Sequence, residues 1–370
     1  MSDGLHLNGI FHDRHSLIKM ALARQTDADS ASWEKSFWRF ISDWFSEATH
    51  TTVQTSGSTG APKILKIKKE YFINSARMTL DHLGIIPGMS ALLCLPPEYI
   101  AGKMMVVRAA VGELELRVIP PQVDRIMEAG LETDFCAMVP LQVEAILNRL
   151  EGSKQLEQIR CLLIGGAPIS VALEKRISGL GNRIYATYGM TETVSHIALR
   201  RISGPERAPS YRILPGVKVA TDENDCLIIN APGLAKGLVR TTDIVRMVGN
   251  AEFEILGRRD NIINSGGIKF SPEIIEKKLA PLIADRFIVS SQPDTSLGEK
   301  MILIIEASGC DRYNLDVLRQ GLQQILHPYE CPKGVFFLDA FPSVGNDKIS
   351  RKKITRRALL SARGEIDSRF

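Results

Sequence analysis

Between residues 51 and 187, short and mainly apolar runs alternate with helical patterns, and no other property of this 370-residue chain limits its fold as strongly. The runs at 91–95, 116–119, 135–139, 161–164 and 183–186 are typical of buried strands. Helical periodicity lies between them at 104–111, 141–150 and 171–180. This alternation predicts an α/β fold with a largely parallel sheet, and ligand sites in such sheets lie beyond the carboxyl ends of the strands.

The segments on either side have different patterns. Residues 14–24 and 33–48 are predicted to be helices, and the second has a large apolar face. That face contains Trp33, Phe37, Phe40, Ile41 and Trp44. Such a stripe is typical of core packing, although a partner or membrane helix has the same pattern. Short strands and turns predict a β-rich subdomain at 201–257, and residues 261–370 are predicted to form a small α+β domain.

The composition is that of an ordinary globular enzyme, with 44% hydrophobic and 24% charged residues. A net charge of +4 does not indicate a nucleic acid partner, and the basic cluster at 348–357 fits a solvated helix face. The six cysteines are far apart and form no C-x-x-C pair, which favours free thiols in a reducing cytoplasm. No apolar run reaches the roughly 18 residues of a membrane helix. A homodimer is compatible with these properties.

Residues 55–63, TSGSTGAPK, are the first candidate binding segment. Glycine allows positive φ and close approach of backbone N–H groups to an anion, while the hydroxyls and Lys63 add donors and a positive charge. A polyphosphate loop has this composition, and so has a Ser/Gly surface turn. The segment is not a Walker loop, because Pro62 precedes the lysine, and it lacks the third glycine of a dinucleotide fingerprint.

Two further segments follow predicted strands at the edge where ligands bind. GGAP at 165–168 follows the run 161–164, and YGMTET at 188–193 follows the run 183–186. Each is more often a plain turn than a site when it stands alone. Their combination with the segment at 55–63 is what indicates a binding site.

The nonapeptide resembles the phosphate loop of the adenylate-forming superfamily of acyl-CoA synthetases, luciferases and peptide-synthetase adenylation domains. It matches the pattern T-S-G-[ST]-T-G-x-P-K at every fixed position, and the two later segments match superfamily motifs in the same order. The resemblance implies that the enzyme uses ATP, Mg²⁺ and coenzyme A. It implies catalytic phosphate contacts by Lys63 and Thr191 and a magnesium contact by Glu192. The implied nucleotide-binding residues are Thr55, Ser56, Gly57, Ser58, Thr59, Gly60, Gly165, Gly166, Ala167, Tyr188 and Gly189.

A fourth motif, RTTD at 240–243, resembles the family's Thr-Gly-Asp. The aspartate of that motif binds both ribose hydroxyls, a role that the resemblance transfers to Asp243. Thr242 replaces the glycine and is a departure from the pattern.

The segment GRRDNIINSGG at 257–267 resembles the junction between the two domains of the family. By this resemblance Arg258 binds the ribose, Asp260 is the hinge, and Gly266 and Gly267 lie along the pantetheine of coenzyme A. Residues 1–260 are then an AMP-binding domain and residues 261–370 a mobile lid. Only 54 residues precede the phosphate loop, fewer than the family usually has, so the first domain is expected to be N-terminally shortened.

The segment PSVGNDKISR at 342–351 resembles the family's Pro-x-x-x-x-Gly-Lys-x-x-Arg. Lys348 is therefore the implied adenylation lysine. Asp347 replaces the family's glycine directly before it.

The acid substrate is less strongly indicated. Among short members with Ser-Gly-Gly after the hinge, the chain is most similar to the o-succinylbenzoate–CoA ligases of menaquinone synthesis. That acid has an aromatic ring, a ketone and two carboxylates, so its pocket needs an additional cation or several donors. Residues near the expected pocket are Tyr99, Lys103, Arg108, Met190, Thr193, Ser195 and His196.

Three alternatives remain open from the residues. The enzyme could adenylate another aryl or acyl acid, or it could load a carrier protein instead of coenzyme A. It could also be an inactive nucleotide-binding homologue, which the departures at Thr242 and Asp347 would suit. The presence of Lys63, Thr191, Glu192, Asp243, Arg258 and Lys348 argues against inactivity.

Overall fold

The computed structural model describes residues 3–27, 30–54, 64–308, 313–344 and 348–361, with backbone alone at 343–344 and 348–349. Contacts divide the chain into two compact units. The first comprises Met1–Val219, Ile229–Val239 and Val248–Phe253, and the second comprises Ala220–Ile228, Arg240–Met247 and Glu254–Phe370. The boundary at 260/261, which the hinge motif implies, stays a prediction.

The first unit alternates strands and helices along most of its length. Its strands are β1 (Gly4–Leu7), β2 (Ile10–Asp13), β3 (His50–Gln54), β4 (Ile64–Lys68), β5 (Ser90–Leu93), β6 (Glu115–Val118), β7 (Thr133–Met138), β8 (Ile159–Ile164), β9 (Arg183–Gly189), β10 (His196–Arg201) and β11 (Tyr211–Ile213). Its helices are α1 (Arg14–Arg24), α2 (Ser32–Phe45), α3 (Lys69–Leu83), α4 (Ile100–Gly112), α5 (Val123–Ala129), α6 (Pro140–Leu147), α7 (Gly152–Glu157) and α8 (Val171–Ile177).

Nine of these strands lie side by side as part of a 13-stranded sheet, in the order β11-β10-β9-β8-β7-β5-β6-β1-β2. The pairs from β1 through β9 in the middle of this order are parallel, and antiparallel strands lie at both ends. The five predicted strands are β5 to β9, so the prediction of an α/β fold with a largely parallel sheet is confirmed. The hairpin β3–β4 is a separate two-stranded sheet on either side of the 55–63 motif, which itself lies outside the described residues.

Two hydrophobic cores cover the two faces of this sheet. Alternation along each strand divides the side chains between them, because successive residues of a strand point to opposite faces. In β5, for example, Ala91 and Leu93 belong to the core under α2, α3 and α4, whereas Leu92 belongs to the core under α5 to α8. The core interpretation of the aromatic helix is also confirmed, since Phe37, Phe40, Ile41 and Trp44 of α2 are buried.

The remaining strands and helices complete the chain. They are β12 (Lys218–Thr221), β13 (Cys226–Asn230), β14 (Leu238–Val248), β15 (Glu252–Arg258), β16 (Ile263–Ser265), β17 (Ile268–Phe270), α9 (Pro272–Leu279), β18 (Phe287–Asp294), β19 (Gly298–Glu306), α10 (Leu315–Ile325), β20 (Val335–Leu338), β21 (Ser343–Val344), β22 (Lys348–Ile349) and α11 (Arg351–Ser361). Strands β12 to β15 form the expected β-rich segment. The last part is α+β, with a sheet β17-β16-β19-β18 to which β20 adds beside β19.

The α+β part repeats the two-faced packing of the first unit. Leu303 and Ile305 of β19 pack in the core that contains α9 and α10. Ile302 and Ile304, on the other face of the same strand, pack in the core that contains α11. The second unit therefore buries both faces of its own small sheet.

The structure also differs from the sequence prediction in places. Helices α3, α5 and α7 were not predicted, and β9 continues to Gly189, where a loop was expected from Tyr188. The strand is longer because β10 pairs with it as far as Gly189. In the described ranges no helix is long and apolar enough to cross a membrane. The described cysteines are free thiols, and all of them except the partly exposed Cys331 are buried.

Candidate active site

Arg108 is a buried cation on helix α4. Its side chain is 2% exposed, and its Nη2 donates a hydrogen bond to Ser195 Oγ at 2.9 Å. Nη1 lies 4.0 Å from Met105 Sδ, and Nε is buried with no hydrogen-bond partner in the described structure. Burial lowers the pKa of Arg108 to about 9, so the group stays charged at neutral pH. No carboxylate pairs with it within the described ranges, which leaves a desolvated positive charge without a counter-ion.

The partner of Arg108, Ser195, stands at the end of a strained turn. Residues Thr191–Thr193 form a 3₁₀ turn, and Val194 follows with φ +64° and ψ −52°. Ser195 N donates to Thr193 O at 2.7 Å, so Val194 is the centre of a γ-turn of the rare positive-φ kind. Such a conformation in a β-branched residue costs about 1–3 kcal/mol and is characteristic of functional sites.

Thr193 holds this turn together and is fully buried. Its Oγ1 accepts from Met190 N at 3.2 Å and lies within hydrogen-bond distance of Met190 O and Ser195 O, at 3.1 and 2.8 Å. The sequence suggested that Thr193 contacts the acid. Its hydroxyl is instead used on backbone groups of its own turn, while Met190 is half-buried beside it.

His196 extends the hydrogen-bond network that begins with Arg108 and Ser195. It is 4% exposed, its Nδ1 lies 3.4 Å from Ser195 Oγ, and its Nε2 lies 3.0 Å from Thr79 Oγ1. Thr79 on α3 is buried and donates to Ser75 O at 2.9 Å. Burial, and then the charges of Arg108 and His82, lower the pKa of His196 well below its usual value, so the ring is neutral at pH 7. Thr79 and Ser75 were not predicted, because the contact joins residues 117 positions apart.

The glycines of the predicted nucleotide segments allow close backbone approach. A Cβ on Gly165 would lie 2.1 Å from Thr187 Oγ1, and a Cβ on Gly189 would lie 2.2 Å from Ser195 O. Gly166, with φ +85°, needs glycine for its backbone conformation. Ala167 follows in the same turn after β8. Backbone atoms are therefore accessible at the carboxyl ends of β8 and β9, which is the edge where a parallel sheet binds ligands.

Tyr188 is fixed by aromatic neighbours. Its ring is buried and lies edge-on to Tyr211 and Phe253, with centroids 6.0 and 5.1 Å away. Tyr211 in turn lies under the guanidinium of Arg200, which pairs with both carboxylate oxygens of Glu174 at 2.6 Å. The strand that carries the YGMTET motif is thus anchored on this face by packing and a bidentate ion pair.

Tyr99 and Lys103 lie at the start of α4. The carbonyl of Tyr99, which precedes the helix, accepts the Lys103 N–H at 3.1 Å. Lys103 Nζ donates to Thr52 O of β3 at 2.6 Å and lies 5.2 Å from the centroid of the Phe40 ring. Burial lowers the pKa of Lys103, and Asp43 and Glu98 oppose this shift. The ammonium of Lys103 is therefore hydrogen-bonded to the hairpin β3–β4.

The second unit brings three predicted residues together. Arg258 Nε lies 3.6 Å from Asp243 Oδ1, and its Nη2 lies 3.5 Å from Asp260 Oδ2. Thr242 joins them, since its Oγ1 accepts from Arg258 Nη2 at 2.7 Å and donates to Asp260 Oδ2 at 3.0 Å. Thr242, which departs from the family pattern, therefore connects Arg258 of the implied ribose site to Asp260, the implied hinge. No signal in the sequence indicated this role of its hydroxyl.

Gly266 and Gly267 form the turn of the hairpin β16–β17. Both have positive φ, +60° and +82°, and they connect the pair Ser265 and Ile268. A two-residue hairpin turn with this geometry needs glycine by itself. The turn therefore explains both glycines without a ligand.

Lys348 lies on β22, whose backbone pairs with β21 at Val344. Its side chain is not described, and residues 55–63 and 345–347 lie outside the described ranges, so the predictions for Lys348, Lys63 and the phosphate loop stay predictions. Arg351, three residues after Lys348, is bonded to Glu276 of α9 and to the carbonyl of Val289. This contact anchors the start of α11.

Comparison with known proteins decides the family. A family model described as AMP-binding enzyme matches residues 25–234, more than half of the chain. The chain belongs to the AMP-binding enzyme family. The resemblance to adenylate-forming enzymes is thereby confirmed.

Similar proteins include short and long members of this family. An acyl-CoA synthetase (AMP-forming)/AMP-acid ligase II-like protein from Dyadobacter fermentans is 35% identical, with 92% of this chain and 98% of that chain covered and a TM-score of 0.60. The o-succinylbenzoate CoA synthetase from Bacillus subtilis, solved with its acyl-adenylate intermediate, is 23% identical, with 83% and 69% covered and a TM-score of 0.70. The 2-succinylbenzoate–CoA ligase of Lactococcus lactis is 26% identical over 330 residues, which are 84% of this chain and 72% of that protein.

In this AMP-binding enzyme Glu192 is suited to a magnesium ion that also binds phosphate. Its carboxylate lies on the 3₁₀ turn and is exposed. The described residues contain no group of three His, Cys, Asp or Glu residues that could hold a metal ion. One carboxylate together with substrate phosphates is a common arrangement for Mg²⁺, and Glu192 fits it.

Proposed function

We propose that this adenylate-forming acid–CoA ligase converts o-succinylbenzoate to its CoA thioester, a step of menaquinone biosynthesis. The observation that carries the proposal is Arg108, a buried cation without a counter-ion in the described structure. An uncompensated buried charge destabilises a protein unless a ligand neutralises it. An acid with a second carboxylate would supply that negative charge.

The position of Arg108 supports this assignment. Its guanidinium is hydrogen-bonded to Ser195. Ser195 lies three residues after Glu192, which belongs to the motif that the family uses to frame the nucleotide. The acid would lie beside that motif while its other carboxylate attacks the α-phosphate. Relatives named 2-succinylbenzoate–CoA ligase, such as those of Lactococcus lactis and Listeria monocytogenes, support the same acid.

The chemistry proceeds in two half-reactions. The carboxylate first attacks the α-phosphate of ATP, which gives an acyl-adenylate and pyrophosphate. Positive charges and donors must be placed in advance for the charge that develops there. We assign this role to the 55–63 loop with Lys63, to Thr191 and to Lys348, while Glu192 holds Mg²⁺.

The thiol of coenzyme A then displaces AMP from the acyl carbon. We assign the ribose to Asp243 and Arg258 and the hinge between half-reactions to Asp260. Gly266 and Gly267 would lie along the pantetheine in this second step, as the resemblance to the family implies.

Exchange of labelled pyrophosphate into ATP with a panel of acids tests the substrate. We expect o-succinylbenzoate to support the fastest exchange, ahead of benzoate, acetate, fatty acids and benzoylpropionate, which is the same acid without the ring carboxylate. Faster exchange with any monoacid would reject the substrate, and exchange followed by transfer only to a carrier protein would reject coenzyme A as acceptor.

A further inference from the structure

The hydrogen atoms in the network around Arg108 can be assigned from the acceptors. We assign the single hydroxyl hydrogen of Thr79 to Ser75 O, which can only accept, at 2.9 Å. Thr79 Oγ1 must then accept from His196 Nε2 at 3.0 Å. The neutral ring therefore has its proton on Nε2 and a free lone pair on Nδ1.

The same reasoning continues to Ser195. Its Oγ accepts from Arg108 Nη2 at 2.9 Å, and among its hydrogen bonds in the described structure the lone pair of His196 Nδ1 at 3.4 Å is the acceptor for its hydrogen. The direction of every bond is then set, from the Arg108 guanidinium through Ser195, His196 and Thr79 to a helix carbonyl. The network joins α4, the turn after β9 and α3.

We propose that His196 is a positioning residue for the second carboxylate: it orients the Ser195 hydroxyl so that Arg108 is held by one N–H and keeps its other N–H groups for the ligand. The inference rests on the proposed function of Arg108. It assigns His196 a role behind the guanidinium instead of contact with the acid. A guanidinium held at one edge recognises a carboxylate with a fixed geometry, and less freedom is lost on binding.

Four variants distinguish this positioning role from direct contact between His196 and the acid. His196→Phe keeps the ring and removes both nitrogens, and His196→Gln keeps a donor and an acceptor. Thr79→Val is isosteric and acts three hydrogen bonds away from Arg108. Ser75→Ala is the matched control on the same helix, because its buried Oγ has no partner in the described structure and its carbonyl is retained.

The readout is the ratio of kcat/KM for o-succinylbenzoate to that for benzoylpropionate. We expect His196→Phe to lower this ratio by about tenfold while kcat/KM for the monoacid stays within about twofold. Thr79→Val should lower the ratio in the same direction, and His196→Gln and Ser75→Ala should retain most of it. An unchanged ratio in both His196→Phe and Thr79→Val, or equal losses with both acids, would overturn the proposal.

Nitrogen NMR of histidine-labelled enzyme tests the network without any acid. The signal that His196→Gln removes should be that of a neutral ring protonated on Nε2, and a ring protonated on Nδ1 would overturn the assignment. If the wild-type enzyme shows no preference for the diacid, the proposed function fails, and the NMR result still decides the network. Thermal unfolding of each variant shows whether a loss of activity reflects a loss of fold.

Discussion

At the level of single residues, Arg108 combines an unfavourable contribution to stability with a favourable contribution to specificity. Its charge is desolvated, and the neutral hydroxyl of Ser195 is a weak substitute for a carboxylate. Buried polar groups of this kind persist where function needs them, because a stabilising apolar replacement removes activity.

Replacement of Arg108 by Met should separate these two contributions. We expect Arg108→Met to raise the free energy of unfolding of the ligand-free enzyme by about 1–3 kcal/mol, since a desolvated charge is removed. Preference for the diacid over benzoylpropionate should fall by roughly 10- to 150-fold, because a charged hydrogen bond contributes about 1.5–3 kcal/mol. Urea unfolding and kcat/KM measure the two effects.

The control for this variant is Arg125→Met. Arg125 is exposed on α5 and pairs only with the exposed Glu128 among the described residues, so stability should change by less than about 0.5 kcal/mol. A clear loss of stability in Arg108→Met would show that the guanidinium is compensated in the free enzyme.

His196 should make the protein sensitive to acid. Its pKa in the folded state lies well below the ordinary value because of burial and then the charges of Arg108 and His82. Below about pH 6.5 the unfolded chain therefore binds a proton that the folded protein does not. The free energy of unfolding should fall as the pH decreases from about 6.5 towards the folded-state pKa, by up to about 1.4 kcal/mol per pH unit.

Urea unfolding between neutral and mildly acidic pH measures this slope. His196→Gln should reduce the slope over that interval, and His12→Gln, at a partly exposed position of β2, is the control. Identical slopes for the wild type and His196→Gln would contradict a neutral, buried ring.

At the level of elements, the start of α11 depends on one ion pair. Arg351 bonds to Glu276 of α9 and to Val289 O, and Glu273 lies 3.6 Å from its Nη2. Burial raises the pKa of Glu276, while the charge and hydrogen bonds of Arg351 oppose that shift. Strand β22, which carries Lys348, ends two residues before Arg351.

Glu276→Gln should therefore reduce both stability and adenylation. Removal of one partner leaves Arg351 buried with less compensation, and we expect a loss of about 3 kcal/mol. The matched control is Glu330→Gln, which breaks the more exposed pair with Lys278 at 2.6 Å and should cost less than about 1 kcal/mol. Urea unfolding together with pyrophosphate exchange measures both, and equal effects of the two variants would contradict the role of Arg351.

At the level of the whole molecule, the two half-reactions need different groups, because the first takes place at the α-phosphate and the second at the acyl carbon. We expect Lys348 to serve adenylation alone and the C-terminal domain to rotate about Asp260 before the thiol attacks. This alternation is the main prediction about how the domains work together.

Lys348→Ala separates the half-reactions. Pyrophosphate exchange should fall by about 10²- to 10³-fold, because one contact to the developing charge is lost. Conversion of supplied acyl-adenylate to thioester should be unchanged, and Lys352→Ala, four residues further on, should affect neither step. Equal loss of both steps in Lys348→Ala would reject the rotation.

The sequence alone determined the fold class and the order of the central strands. Continuous apolar runs identified β5 to β9, because strands covered on both faces need hydrophobic side chains throughout. Spacing of the aromatic residues identified α2 and its buried face for a similar reason. Glycine-rich segments identified the family, since short motifs can be recognised without knowledge of what they contact.

Only the tertiary structure decided what each side chain near the site does. Lys103, Arg108 and His196 appeared equivalent as pocket cations in the sequence. The fold directs Lys103 to a carbonyl of β3, leaves Arg108 without a counter-ion among the described residues, and connects His196 to Thr79 of α3. Pairing over long sequence separations and burial set these differences. Neither can be read from local pattern, because both arise only when distant segments pack together.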